Sequence, residues 1–265
     1  MAIIRTLRSF LGKSIYPKTV TKAIYDGNNR LDQMITNGLI NPNTLINGNF
    51  RHPVNQRGET VLTCSSATDA RYTIDRWALL GENAVFNVFD NYITLRKPKA
   101  SLFAELYQLL EFPATYNNRP LTLTVSFKGT AGGMVSLRGF GDNNSFVRKD
   151  IRCTGNVQTE SITFTPKGVS EYLRGADIVL AEYNGKEYLP TSKDYELTLY
   201  WAKLEDGEYA TPFRPKRYDE ELRDCQRFYQ ILSTNTVSSI DMRPLQAKTP
   251  IISAISGGYS YDAEL

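Results

Sequence analysis

Nucleophilic catalysis aided by an imidazole base would have to run through the one histidine of this 265-residue chain, His52. It stands beside Pro53 in the polar run RHPVNQRG (51–58). A Ser-His-Asp triad needs that ring oriented by an acid and set against a serine, and no GxSxG nucleophile elbow occurs. His52 therefore reads as a solvated loop residue. Pairing it with Cys64 as base and thiol has only nearness in sequence behind it, whereas a reactive thiolate needs a specific electropositive setting. The three cysteines, Cys64, Cys153 and Cys225, stand apart with no CxxC or Cys/His spacing. That pattern suggests no zinc site, argues against a secreted disulfide framework, and fits buried free thiols in a protein that matures in cytosol.

Glycoside hydrolysis needs two carboxylates facing each other across a sugar. The 28 Asp and Glu residues allow many pairs, and the sequence selects none. GFGDNNS (139–145) lacks the Lys and Ser/Thr of a phosphate-binding P-loop. Its Asp142, Asn143 and Asn144 are of the type that holds Ca²⁺ or sugar hydroxyls; the plainer alternative is a turn between two strands. Tyr116, Asn117 and Asn118 make a second candidate set for glycan contact on a loop. No enzyme is expected, and no cofactor beyond Ca²⁺ at such a loop.

The net charge of +3 comes from scattered Lys and Arg with no like-charge run, which speaks against nucleic acid as a partner. No stretch of 18 apolar residues provides a membrane span. Arg5 and Arg8 interrupt what would have to be the apolar core of a signal peptide. Ile3, Leu7, Phe10 and Leu11 form one face of a short basic helix, better suited to a protein partner than to a lipid surface.

Any binding surface here must be positioned by strands. From about residue 70 the apolar period is two: YTIDRWALL (72–80), AVFNVF (84–89), NYITLRK (91–97), LTLTVSFKG (121–129), MVSLRGF (134–140), ESITFTP (160–166), ADIVLAEY (176–183) and YELTLYWAKLE (195–205). Further strands are expected at VSSIDMRP (237–244) and TPIISAISGG (249–258). Many short strands with Gly, Asn and Pro punctuation predict a mainly β fold, an antiparallel sandwich of jelly-roll type. Asn184-Gly185 has strand on both sides and predicts a hairpin turn; Asn47-Gly48 does not, because Arg51, His52 and Pro53 spoil its second arm. Trp77 and Trp201 lie in strand patterns and read as core. Two helices are expected on the sandwich. SLFAELYQLLE (101–111) puts Leu102, Leu106 and Leu109 on one face, and YDEELRDCQRFYQIL (218–232) aligns Leu222, Cys225 and Leu232.

Residues 1–41 read as a separate helical arm. Val20, Ile24, Leu31 and Met34 follow the alternating four-and-three spacing of a coiled-coil seam, although Gly27 and Gly38 occupy the same seam. A short oligomerisation stem and a pair of helices turning at Gly27 both fit.

Three stretches together resemble a known family, the sugar-binding-module-like β-sandwich of bacteriophage and prophage tail fibre and baseplate proteins. They are LINGNF (45–50) with NQRG (55–58), YTIDRW (72–77), and AKLEDGEYATPFRPKRYDEELRDCQRFYQ (202–230). The likeness spans roughly residues 44–260. RHPV (51–54) departs from it, replacing a Trp-bearing stretch often found before QRG. The resemblance implies a β-sandwich over residues 42–265 in a non-enzymatic virion tail component: a tail fibre, spike or baseplate-associated protein. Such a protein would be assembled in the host cytoplasm and act as connector, as glycan-binding adhesin, or both. It also implies a homo-oligomer, a trimer above all, joined through the arm to other tail or baseplate proteins. The competing reading is a tail enzyme that degrades capsule or cell-wall polysaccharide.

Overall fold

The computed structural model of the chain describes residues 41–140, 146–171, 173–232 and 250–264, with the backbone at 25–26 and 29–30. The chain divides into two compact units, Met1–Asn41 and Pro42–Leu265. In the first, β1 (Tyr25–Asp26) pairs antiparallel with β2 (Asn29–Arg30), so no unbroken helix runs from Thr19 to Gly38. The expected stem positions Val20, Ile24, Leu31 and Met34 lie outside the described residues.

In the second unit the strands are, in chain order, β3 (Val61–Thr63), β4 (Arg71–Tyr72), β5 (Ala78–Leu80), β6 (Val85–Phe89), β7 (Tyr92–Lys97) and β8 (Phe103–Leu109). There follow β9 (Leu121–Gly129), β10 (Met134–Phe140), β11 (Phe146–Arg152), β12 (Val157–Phe164), β13 (Arg174–Tyr183), β14 (Tyr188–Leu189) and β15 (Tyr195–Asp206). Helix α1 (Tyr218–Gln226) leads into β16 (Tyr229–Leu232), β17 (Ile251–Ile255) and β18 (Gly258–Asp262). Two antiparallel sheets face each other. One has the order β11-β10-β13-β8-β5-β4, with β14 paired to β13; the other has the order β12-β9-β15-β7-β6-β3. A small third sheet, β16-β18-β17, closes the described chain.

The core lies between the two large sheets. Leu121, Leu123, Val125 and Phe127 of β9 alternate inward and meet Ile178 and Leu180 of β13 and Leu197, Leu199, Ala202 and Leu204 of β15. This is the mainly β sandwich that the two-residue period predicts. The Asn184-Gly185 hairpin is also present, with Gly185 at φ +94 and β14 folding back on β13.

Three local expectations change. Residues 101–111 form strand β8 rather than a helix. Leu, Ala, Glu and Gln are good helix formers, but β8 is hydrogen-bonded on both edges, to β13 and β5, and this pairing outweighs propensity. Both of its faces are covered, Ala104 and Leu106 in the core and Glu105 on the outer side, so the strand loses its alternation. The helix expected over 218–232 stops at Gln226, where the chain turns into β16, so Leu232 is a strand residue. YTIDRWALL splits into β4 and β5 around a turn in which Thr73 N–H donates to the Trp77 carbonyl at 2.8 Å.

Asn47-Gly48 is the centre of a buried polar hub. Leu45, Ile46 and Phe50 tuck into the protein around it, and Trp77 is fully buried against the Phe50 ring, 5.0 Å away. Asn47 sits at φ +59. Its Nδ2 donates to the carbonyls of Val54 (2.8 Å) and Asp75 (2.9 Å), and its Oδ1 accepts from Val54 N–H at 2.8 Å. Its own N–H donates to the Glu221 carboxylate of α1, and its carbonyl accepts from Trp77 Nε1 at 2.9 Å. The Gly48 carbonyl accepts from Ala202 N–H, and a Cβ at Gly48 would stand 2.4 Å from the Ala202 oxygen, so only glycine permits this approach.

NQRG joins the same hub. Gln56 Nε2 donates to Asp75 Oδ2 (3.0 Å) and to the Tyr229 carbonyl (2.7 Å), and the Arg57 guanidinium lies 3.8 Å above the Tyr229 ring. Arg76 and Glu264 form an ion pair at 2.6 Å with both side chains 1% exposed. Motifs separated by up to 174 positions therefore meet at one place, and their residue types are explained by holding the fold.

Burial pushes the Asp75 carboxyl from its ordinary 3.8 up to about 6, against the hydrogen bonds from Gln56 and the Arg57 charge, and its Oδ1 has no hydrogen-bond partner among the described residues. A raised carboxyl pKa means the folded state holds the proton longer than the unfolded chain, so stability falls as pH rises from about 4 to about 6. Asp75→Asn removes that slope. Relative to wild type, the variant should gain about 3 kcal/mol between pH 4 and pH 7, read from urea midpoints across that range.

Candidate functional site

The outer face of the six-stranded sheet carries two parallel rows of side chains. Register places Thr198 opposite both Lys128 and Thr94, and Thr94 opposite Asn87, giving the polar row Lys128–Thr198–Thr94–Asn87 across four strands. Asn87 Nδ2 donates to Thr94 Oγ1 at 3.1 Å. The neighbouring row is aromatic. Tyr92 faces Phe89 across the β6–β7 hairpin, with ring centroids 4.8 Å apart.

A β-bulge supplies the rest of this row. Leu199 pairs with Phe127 and Trp201 with Ser126, so Tyr200 is the extra residue. A bulge re-aims side chains beside it. Here Leu199 and Ala202 both remain in the core while Tyr200 and Trp201 leave it on the outer side. Trp201, expected as core, is half-buried and stacks on Phe213 at 4.7 Å with rings 2° from parallel.

The far half of this face is covered. The chain after β15 folds back across it, so that Lys203 and Glu205 are buried with Thr211. Lys203 Nζ donates to Glu205 Oε2 (3.0 Å), Thr211 Oγ1 (2.5 Å) and the Pro212 carbonyl (3.3 Å). Thr122 Oγ1 donates to the Gly207 carbonyl at 2.7 Å. ATPF is thus a cover strip, and the open half of the sheet becomes a cleft of about 500 Å³ lined by Tyr92, Lys128, Thr130, Glu196, Thr198 and Tyr200.

Thr130 Oγ1 is held by the Glu196 backbone, but most other polar side chains in the cleft are unspent. The Lys128 ammonium, the Glu196 carboxylate and the Tyr92 and Tyr200 hydroxyls make no hydrogen bond among the described residues, and the Arg51 guanidinium stands 5.5 Å above the Tyr200 ring. The other large sheet differs. On its outer face Arg138 reaches Glu105 (2.7 Å) and Asp177 (2.9 Å), Arg174 pairs with the same two acids, and Arg138 Nη1 donates to the Tyr188 hydroxyl at 2.8 Å. Burial and the neighbouring Asp177 push the Glu105 carboxyl upward, while both arginines oppose the shift. That network pairs its charges internally. The open cleft does not.

No family model and no curated protein matches this sequence. Among solved structures, the chain is similar to a family 61 carbohydrate-binding module, TmCBM61, in complex with β-1,4-galactotriose: 12% identity, TM-score 0.40, covering 63% of this chain and 99% of that one. It is similar to a CBM4 module at 12% identity and TM-score 0.37, over 50% of this chain and 95% of the module. It is also similar to the enzymatically active domain of tailspike protein 4 of bacteriophage CBA120, at 12% identity and TM-score 0.37. That match covers 62% of this chain and 21% of the tailspike domain.

The residues that the sequence nominates lie elsewhere. Tyr116 ends a 3-10 turn (Pro113–Tyr116) and packs half-buried against the core. Asn117 spends its side chain on Val169, donating to the carbonyl (2.7 Å) and accepting from the N–H (3.0 Å). Asn118 sits at φ +61 with its N–H on the Pro166 carbonyl. None of the three lines the cleft. Asp142, Asn143 and Asn144 lie outside the described residues; they fall between β10 and β11, whose last register pair is Phe140 with Phe146. Cys64, Cys153 and Cys225 are buried free thiols, and Cys64 donates to the Ser66 carbonyl at 3.2 Å rather than meeting His52. Sequence reading missed the cleft, although one signal was available: aromatic Tyr92 and Tyr200 stand at outward phases of strands whose inward phases are aliphatic.

Proposed function

We propose that this chain binds glycan in the cleft of Tyr92, Lys128, Glu196, Thr198 and Tyr200. The observation that carries the reading is the aromatic pair Tyr92 and Tyr200 beside Lys128 and Glu196, whose side chains make no hydrogen bond among the described residues. Pyranose rings present a C–H face to aromatic rings and hydroxyls to donors and acceptors, and this groove offers both. It acts by binding, without cleavage, as the non-catalytic part of a bacteriophage tail fibre, spike or baseplate-associated protein. LINGNF, YTIDRW and ATPF…CQRFYQ support that placement by their resemblance to such proteins. The arm, 1–41, joins the sandwich to other tail proteins and assembles it as a trimer, so that several weak sugar sites act together through avidity. Calcium is not required for this mode of binding.

A glycan array probed with the full chain tests the reading. Tyr92→Ala and Tyr200→Ala should each lower affinity for the sugars that bind by about tenfold, as loss of one stacking surface worth about 1.4 kcal/mol implies. Both rings lie partly buried on the outer face, outside the core between the sheets, so the unfolding midpoint should move little. Unchanged binding in both variants, or no sugar bound at millimolar concentration, would refute the site. New reducing ends on host polysaccharide would replace binding by cleavage.

A further inference from the structure

The two large sheets guard their edges. β3 and β4 are three and two residues long, β11 carries Arg148, Lys149, Asp150 and Arg152, and β12 pairs Glu160 with Lys149 at 2.8 Å. Short length and charge are the usual protection against pairing with another chain. The third sheet is different. Its β16 edge is tied to the hub, where the Tyr229 carbonyl accepts from Gln56 Nε2. Its β17 edge, IISAI, has no charge, no proline and no bulge in its register with β18, and all five residues are exposed.

Ile251 is 71% exposed, Ile252 47% and Ile255 38%. Register sets Ser253 beside Ser260, and Ser260 beside Ile231, which is itself 45% exposed. One face of the sheet therefore carries Ile251, Ile255 and Ile231 around a flat centre of serines. Among the described residues nothing pairs with the outer side of β17. An apolar edge open on both faces is a template for another strand.

We infer that β17 pairs with β17 of a second copy of this chain, antiparallel across a two-fold axis at Ser253. Two three-stranded sheets then become one of six strands. The strand's own sequence selects that occupant, because IISAI is self-complementary about its centre. Ile251 of each copy falls opposite Ile255 of the other, Ile252 opposite Ala254, and Ser253 opposite itself. Every pair is neutral, and the open isoleucines cover one another, whereas a strand with charges at these positions would bury them against isoleucine. Alternate N–H and C=O groups of the two edges supply the ladder. The pairing rests on neither the glycan reading nor assembly through the arm.

Cysteine cross-linking of the full chain reads the register, and the three native cysteines are buried. Ser253→Cys should form a covalent dimer under mild oxidation, because the paired Cα atoms would stand about 4.5–5.5 Å apart, within disulfide range. Ile251→Cys alone should not, its two copies being about 13 Å apart along the strands, but mixed with Ile255→Cys it should. Ser192→Cys, exposed and remote in the chain, sets the collisional background. In sedimentation velocity from about 1 to about 100 μM, the wild-type mass should double. Ser253→Lys, which sets two ammonium groups face to face at an exposed position, should abolish the rise without moving the unfolding midpoint. Amide exchange along β17 should slow as concentration rises. Cross-linking no better than background, or equal masses for wild type and Ser253→Lys at every concentration, would overturn the pairing. So would slow exchange independent of concentration, which would mean that the edge is covered within one chain. Fast exchange at every concentration would overturn it as well, and leave the edge to a different protein.

Discussion

Asn47→Ala will destabilise the protein by about 3–5 kcal/mol in urea unfolding, a large share of the stability of a domain. The side chain donates to two buried carbonyls and accepts from a buried N–H, and alanine leaves all three groups without a partner where water does not reach. Each such orphan costs about 1–3 kcal/mol. Alanine must also hold φ +59, a left-handed conformation that asparagine tolerates better than other residues with a Cβ. Asn47→Gly separates the two costs, because glycine accepts that φ while losing the same hydrogen bonds. It should be the less damaging variant by about 1 kcal/mol. Equal stability of the two would assign the whole effect to hydrogen bonding.

Glu264→Ala should cost a similar amount, about 3–5 kcal/mol, the usual effect of removing one partner from a buried ion pair. Glu264 Oε2 meets Arg76 Nη1 at 2.6 Å and Oε1 accepts from Arg76 N–H at 3.0 Å. Without it, the guanidinium keeps the Leu109 carbonyl at 2.7 Å and its place 3.4 Å over the Phe228 ring, but its charge is left buried. The double replacement Arg76→Leu with Glu264→Leu removes the stranded charge and should be more stable than Glu264→Ala alone. If the double variant were the weaker of the two, the loss would lie in packing rather than in uncompensated charge.

Strands whose two faces differ were legible in the sequence. β9 shows its aliphatic inward phase against Thr122, Thr124 and Ser126, and alternation finds it directly. β8 was not legible, because cover on both faces erases alternation and leaves a run of good helix formers. The motif residues were legible as a signature but not as a mechanism. Gln56, Asp75 and Glu221 look like surface polar residues until the chain brings them together around Asn47. The cleft was the least legible part. Whether an outward Tyr is a ligand platform or a covered residue depends on where the strip ending in Thr211–Phe213 lies, and that strip covers one half of β15 and leaves the other open.

The Arg76–Glu264 pair also orders events during synthesis. Its partners are 188 positions apart, so when Arg76 leaves the ribosome the carboxylate that neutralises it has yet to be made. A buried arginine cannot be closed over without that partner. The sheets could pair earlier, but the hub cannot seal until residue 264 has emerged. Nascent chains shorter than this would keep the hub open to water and to chaperones.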